Sequence, residues 1–134
     1  MLDAVNSTDR PANEDDSLTR SIIGAAIEVH KTIGPGLLES IYEEALCHEF
    51  DLRGIPFKRQ VAIDVVYKGK AIKGQRIDLI AADEVIIELK SLSSLPDIVF
   101  AQILSYLKAT GLKRGLIMNF GANRIVDGIR RVSN

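Results

Sequence analysis

Residues 76–90 read RIDLIAADEVIIELK, and this stretch decides the fold expected for the chain. Two runs rich in β-branched and aliphatic residues, 77–81 and 85–89, flank the polar step Ala82-Asp83-Glu84. Apolar runs separated by a short polar step are typical of two paired strands and their turn. The stretch therefore predicts a β-hairpin around which the rest of the domain is arranged.

The hairpin carries charge within otherwise apolar strands. Because side chains alternate along a strand, Arg76, Asp78 and Ile80 are expected on one face, and Glu88 and Lys90 on one face of the second strand. Pairing of the strands would bring the two carboxylates together. Burial of such charges is costly unless something compensates them. The alternative is a solvated face of an edge strand, since strands with one charged face are common.

A divalent cation would compensate the two carboxylates, because Mg²⁺ prefers carboxylate oxygens and retains several waters. Asp78 and Glu88 would then hold Mg²⁺, or Mn²⁺ in its place. Lys90 would lie beside the attacking water, where an ammonium group could orient or deprotonate the nucleophile or neutralise a phosphate. This arrangement predicts phosphodiester hydrolysis by a metal-activated water, with Asp78, Glu88 and Lys90 as the catalytic set.

Length and composition predict one soluble domain. The chain has 134 residues, of which 46% are hydrophobic and 26% charged, as in ordinary globular proteins. No apolar run approaches the ~20 residues of a membrane span. The first residues lack the basic and then apolar pattern of a signal peptide. We therefore expect a cytoplasmic protein with no membrane partner, and a buried structural thiol at Cys47.

The N-terminal half begins with a polar segment and continues with helices. Residues 1–16 are acidic and have no periodic apolar face, which predicts a disordered leader, with residues 17–134 as the single domain. Ser17 is the predicted N-cap of a first helix, and the Gly34-Pro35-Gly36 step ends it. A second helix is predicted from Leu37, because apolar residues recur at helical spacing.

The second half predicts a sheet with one crossover. Three strands, a helix that ends at Gly111 and a short apolar strand over 115–120 follow the two helices. Residues 125–132 fit either a helix or a strand. The order α-α-β-β-β-α-β predicts an α/β fold with helices flanking a mixed sheet, in which the helical crossover makes the last two strands parallel.

Four polar residues on the predicted helices are further candidates. Glu39 lies three residues before Tyr42 at the edge of an apolar stripe, although a first-turn acid favoured by the helix dipole is the alternative. His30 is a competent base or ligand, but a packing histidine is the favoured interpretation. Gln102 and Tyr106 lie one turn apart on a different face from the apolar stripe of their helix. We therefore expect both outside the core.

The order of these elements resembles a known nuclease core. Asp78, then Glu88-Leu89-Lys90, then a helix with Gln102 and Tyr106 resembles the restriction-endonuclease-like core of the PD-(D/E)xK nuclease superfamily. The last pair also resembles the Gln-x-x-x-Tyr motif of the exonuclease branch.

A more specific resemblance lies in residues 36–42, which read GLLESIY. They are similar to the signature of the GxxExxY protein family, which is assigned to this superfamily. Residues 28–31 and 76–78 are similar to that family too, and the resemblance spans 18–132. Phe100 is a departure, because the family commonly has a Glu two residues before the helix Gln.

The resemblance implies a role for each candidate residue. It implies a Mg²⁺ site formed by Glu39, Asp78 and Glu88, with Lys90 catalytic. It also implies four site-lining or nucleic-acid-binding residues: Arg76, His30, Gln102 and Tyr106.

Two functions are consistent with the sequence. The first is a nuclease with nucleic acid as partner, DNA in preference to RNA. The second is a non-catalytic module of the same fold that binds nucleic acid or a protein. The presence of Asp78, Glu88 and Lys90 together favours the first, whereas Phe100 and the net charge of −1 favour the second. A homodimer is left open.

Overall fold

The computed structural model describes residues 15–134. The predicted disordered leader, 1–16, lies outside this range except for its last two residues, where the first helix already begins. Ser17 therefore lies inside the first turn, and its prediction as the N-cap is wrong. Within the described residues no helix is both long enough and apolar enough to span a membrane.

Three helices and five strands make up the described chain. The helices are α1 (Asp15–Ile33), α2 (Glu39–Arg53) and α3 (Asp97–Thr110). The strands are β1 (Phe57–Tyr67), β2 (Lys70–Ala81), β3 (Val85–Lys90), β4 (Arg114–Asn119) and β5 (Ile129–Ser133). The predicted α/β order is confirmed, and the undecided segment 125–132 is a short 3₁₀ turn, Ile125–Gly128, followed by β5.

The described strands form one mixed sheet in the order β1-β2-β3-β4-β5. Only β3 and β4 are parallel, and α3 connects them, which confirms the predicted crossover. The other neighbours are antiparallel. The register places Glu88 beside Ile117 and Lys90 beside Asn119, so the charged end of β3 lies next to the end of β4.

Each face of the sheet covers its own hydrophobic cluster. Leu79, Ile87 and Met118 pack with α1 and α2 on one face, and Ile86 and Ile117 pack with α3 on the other. The α1–α2 side also holds Cys47, which is buried as predicted, and burial raises the pKa of its thiol to about 11. The sheet is thus a middle layer between helices, as the strongly apolar β3 and β4 require.

The hairpin of residues 76–90 is confirmed, but its strand alternation is not regular. The backbone N–H of Glu84 donates to the carbonyl of Ala81 at 2.9 Å and closes the turn. Ile77 and Ile80 pack in the same cluster although they are three positions apart, whereas Leu79 packs in the other. The predicted shared face of Arg76, Asp78 and Ile80 is therefore wrong, because the chain changes face at Asp78.

Strands β1 and β2 form a long hairpin that turns at Lys68-Gly69. Its outer part, residues 61–76, is called the arm. The base of the arm packs through Val61 and Ile63 against the α3 cluster. Beyond Ile63 the strand register shifts, and Gly74 adopts a φ of +127° at the irregularity. An irregularity of this kind increases twist, and it marks where the arm leaves the body of the sheet.

The segment after β3 is fixed by the buried side chain of Asn119. Its Oδ1 accepts hydrogen bonds from the backbone N–H groups of Leu92 at 2.9 Å and Gly121 at 3.0 Å. Its Nδ2 donates to the carbonyl of Leu92 at 3.0 Å. A Cβ on Gly121 would lie 2.2 Å from that same carbonyl oxygen, so only glycine allows the two segments to pass. Asn119 and the close approach of Gly121 therefore fix the position of the segment that follows Lys90.

This close approach predicts that Gly121→Ala lowers the free energy of unfolding by about 1–3 kcal/mol, the cost of overpacking. Gly24→Ala is the matched control, because the new methyl group in α1 meets only the end of the Arg53 side chain at 3.2 Å. That change should stabilise the protein by about 0.5–1 kcal/mol through helix propensity. Urea denaturation of both variants provides the measurement. Equal effects of the two changes would show that the Gly121 contact is not tight.

Candidate active site

Asp78 and Glu88 lie where β2 and β3 separate, and the carboxylate of each accepts a hydrogen bond from the backbone of the other strand. Ladder pairing between the strands ends at Leu79 and Ile87. Beyond it, the N–H of Asp78 donates to Glu88 Oε2 at 3.1 Å, and the N–H of Leu89 donates to Asp78 Oδ2 at 2.8 Å. The carboxylates replace backbone carbonyls as acceptors. The structure thus brings the two predicted residues together.

The backbone of β1 is also irregular at Gln60, the residue opposite Asp78. Strands β1 and β2 pair at Arg59–Leu79 and at Val61–Ile77, and Gln60 lies between these pairs with a φ of +49°. A left-handed backbone is uncommon for a residue other than glycine and often occurs at functional sites. Asp78 is therefore the position at which β2 departs from regular pairing on both sides.

Arg76 stabilises this irregular step. Its Nη1 donates to the backbone carbonyl of Gln60 at 3.2 Å, and its side chain is exposed. A contact with nucleic acid stays a prediction for Arg76.

Glu88 is buried and retains its proton more strongly than an ordinary glutamate. The residue is 4% exposed. Burial, and secondly the charge of Asp78, raise its pKa from 4.5 to about 8. The Asp78 N–H and the charge of Lys90 oppose this rise, whereas Glu39 adds to it. A buried acid with this pKa needs a nearby cation to be fully ionised at neutral pH.

The predicted cluster of three carboxylates is not formed. Among the described residues, no three His, Cys, Asp or Glu side chains lie close enough together to hold a metal ion. Glu39 is the first residue of α2 and is exposed, and its charge contributes to the raised pKa of Glu88. A direct metal contact from Glu39 stays a prediction.

The remaining pair still fits Mg²⁺, which proteins often bind through one or two carboxylates and several waters. One oxygen of each carboxylate is bonded to the backbone. Within the described part of the chain, Asp78 Oδ1 and Glu88 Oε1 accept no hydrogen bond. Two carboxylate oxygens without partners, one on a buried acid with a raised pKa, are the donor set that a hard cation would stabilise.

Lys90 follows Glu88 by two residues at the end of β3 and is half-buried. None of the carboxylates in the described chain forms an ion pair with it. Its ammonium charge acts on Glu88 and favours ionisation there. The ammonium group of Lys90 is therefore available at the site to donate hydrogen bonds to another group.

The GLLESIY segment is fixed by Tyr42, whose role the sequence did not reveal. Its hydroxyl donates to the Gly34 carbonyl at 2.5 Å and accepts from the Leu37 N–H at 3.2 Å. Its ring stacks on Phe120 at a centroid distance of 4.4 Å. Ser91 Oγ donates to the Leu37 carbonyl at 2.8 Å and joins this loop to the end of β3. The loop before Glu39 is thus tied to the residue after Lys90.

His30 supports the same region from inside. It is 6% exposed, and its Nε2 lies 3.0 Å from the carbonyl oxygen of Phe120. The N–H of Phe120 in turn donates to the Lys90 carbonyl at 2.8 Å. The favoured packing interpretation of His30 is confirmed. A direct contact with nucleic acid does not fit its burial.

Gln102 and Tyr106 differ more than their sequence spacing indicated. Gln102 is half-buried, but Tyr106 is 2% exposed and packs within the α3 cluster, so the expectation that it leaves the core is wrong. The buried stripe of α3 is wide enough to include it. Its hydroxyl lies 3.3 Å from Gln75 Oε1. Burial, followed by the charges of Glu88 and Asp78, raises its pKa, which places Tyr106 within electrostatic reach of the site.

The raised pKa of Glu88 predicts a stability that depends on pH in the metal-free protein. The folded state binds this proton more tightly than the unfolded state, so the contribution of Glu88 to stability is fully present below about pH 4.5 and is lost as the pH rises through about 8. Glu88→Gln should remove most of a decline of about 2–4 kcal/mol. Urea denaturation in EDTA between pH 5 and 8 measures it. The exposed Asp51→Asn is the control, and an unchanged pH profile in Glu88→Gln would contradict the assignment.

Comparison with known proteins agrees with the geometry. A family model described as the PD-(D/E)XK nuclease superfamily matches residues 16–132. No curated protein and no solved structure matches the chain significantly. The matched range includes the sheet except the last residue of β5, the three helices except the first residue of α1, and both carboxylates of the site. The chain belongs to the PD-(D/E)XK nuclease superfamily.

Proposed function

We propose that this protein is a metal-dependent nuclease that hydrolyses phosphodiester bonds of DNA. The observation that carries the proposal is the Asp78–Glu88 pair, bonded through the backbone where β2 and β3 separate, with Lys90 two residues further on. Superfamily membership makes nucleic acid the expected substrate. The GLLESIY segment further supports membership of the GxxExxY family.

Asp78 and Glu88 would hold Mg²⁺, or Mn²⁺, through the carboxylate oxygens that the backbone does not use. The ion would supply positive charge to the scissile phosphate and a water activated at neutral pH. Burial of Glu88 excludes bulk water, which strengthens electrostatic interactions at this position. Glu39 would contribute negative charge at the site edge, through its effect on Glu88.

Lys90 is the proposed catalytic cation. A lysine ammonium group presents three donors and a compact charge, which suits it to a phosphate oxygen or to the attacking water. Such a contact becomes stronger as negative charge develops on the phosphate in the transition state. Gln102 lies on α3 and would contact the nucleic-acid strand. Tyr106 would position Gln75 through its hydroxyl group.

The second candidate function is a non-catalytic binding module of the same fold. Phe100 favours it, because this half-buried side chain packs against the α3 cluster where the GxxExxY resemblance implies an acid. An acid lost from that position could reduce catalysis without changing the fold. Direct measurement of metal binding and of cleavage separates the two candidates.

We predict one divalent-cation site that depends on Asp78. Calorimetric titration with Mn²⁺ should show a single site in the wild type, and Asp78→Ala should weaken binding at least about tenfold, because one of two charged ligands is lost. Asp51→Ala removes an exposed acid from α2 and serves as the control. Equal affinities of wild type and Asp78→Ala would place the site elsewhere.

We predict that Lys90→Ala abolishes cleavage while Mn²⁺ binding remains, because Lys90 is not a ligand. The assay compares wild type and variant on single- and double-stranded DNA and RNA with Mg²⁺ or Mn²⁺. Lys108→Ala, an exposed lysine of α3, should retain wild-type activity. A wild type that binds metal and nucleic acid but cuts nothing would favour the binding module instead.

A further inference from the structure

The arm, residues 61–76, has little cover from the rest of the described chain. Its base is anchored on α3, but its outer strands are exposed on both faces. Val65, Val66, Tyr67 and Ile72 are between 43% and 68% exposed. An uncovered two-stranded hairpin contributes little to stability by itself. The proposed chemistry at Asp78 does not use these outer residues, so another role is needed to explain them.

The arm concentrates positive charge. It contains four basic residues and one acidic residue, whereas the whole chain has a net charge of −1. Lys73 pairs with Asp64 at 2.9 Å on the surface. No ion pair within the described residues involves Lys68 or Lys70, which flank the turn at the tip. A cluster of lysines on an exposed element is the electrostatic pattern of nucleic-acid binding.

We infer that the arm is a β-ribbon that docks in the major groove of duplex DNA and holds the substrate at the site. This inference rests on the proposed nuclease function and names the form of its substrate. The B-DNA major groove, about 12 Å wide, admits a two-stranded ribbon. The deep and narrow major groove of an RNA duplex does not. Single-strand binding usually relies on several stacked aromatic rings, and among the arm residues only Tyr67 is aromatic.

The position of the arm suits this role. Its base begins one residue from the step at which Gln60 lies opposite Asp78. From Val61 to Tyr67 the strand extends about 20 Å, which corresponds to about six base pairs of B-DNA. Phosphate contacts at the tip would therefore hold the duplex about half a helical turn from the carboxylates. A second copy of the arm is a poor partner, because contact between two tips would oppose like charges.

The test is duplex binding measured without catalysis. Fluorescence anisotropy in EDTA compares a 20-base-pair DNA duplex, an RNA duplex of the same sequence and the single strand, between 50 and 200 mM potassium chloride. The arm variant carries Lys68→Gln, Lys70→Gln and Lys73→Gln. The matched control carries Lys31→Gln, Lys108→Gln and Lys113→Gln, three exposed lysines outside the arm. Circular dichroism confirms that both variants fold.

Wild type should bind the DNA duplex most tightly. The arm variant should bind it at least about tenfold more weakly, with the salt slope reduced by about 2.7 for three lost phosphate contacts. The control should change the slope by less than about one. Methyl green, which occupies the major groove, should displace the protein, and netropsin in the minor groove should not.

Three results would overturn the inference: equal losses in the arm and control variants, tighter binding of RNA or single strands, or no DNA binding by the wild type. The last result would point to a protein partner for the arm. Cleavage is scored separately. If the wild type cuts DNA and the arm variant binds DNA normally, the role of the arm is contradicted and the nuclease function is retained. If the wild type binds DNA through the arm but never cuts it, the role of the arm is retained and the nuclease function is contradicted.

Discussion

The reciprocal bonds between Asp78 and Glu88 are the interaction on which the fold and the site both depend. Each carboxylate accepts an N–H from the other strand and so replaces a backbone partner that the separating strands no longer provide. An unpaired buried N–H would cost about 1–3 kcal/mol, so these acids stabilise the hairpin where its ladder ends. The same bonds fix two carboxylates side by side. The structural role and the proposed metal-binding role therefore fall on the same two side chains, through different oxygens.

This arrangement stabilises the hairpin but places a second carboxylate beside the buried Glu88. Without a cation, burial and the neighbouring Asp78 favour the protonated form of Glu88. A bound divalent ion would reverse that preference, because it stabilises both carboxylates in their charged form. Metal binding and folding would then be coupled, since an ion that binds only the folded state adds to its stability. The charge of Lys90 favours ionisation of Glu88, but burial and the charge of Asp78 outweigh it.

Periodicity was sufficient to predict the hairpin, the helices and the parallel crossover, because long apolar runs dominate β3, β4 and the helix stripes. Periodicity did not predict the positions at which single residues interrupt the regular alternation of a strand. Gln60 takes a left-handed backbone that no local pattern indicates, and the chain changes face at Asp78. Distances between side chains on separate helices and strands could not be predicted either, and the structure links Glu39 to Glu88 through its charge. Tyr106 was misplaced because the width of a buried helix face depends on its neighbours.

The supports of the site divide into a rigid side and a protruding side. On one side, Tyr42, His30 and Asn119 connect the GLLESIY loop, β4 and the segment after Lys90 through hydrogen bonds to the backbone. On the other, the arm extends from the Asp78 step with little cover. Lys90 is joined to this side through its own carbonyl and through Ser91, and a fixed position would suit the catalytic role proposed for it. The phosphate contacts proposed for the arm are numerous and electrostatic, so they would depend less on the exact position of each side chain. Both proposed roles begin at the same place, the Asp78 step at which β2 leaves the regular pairing of the sheet.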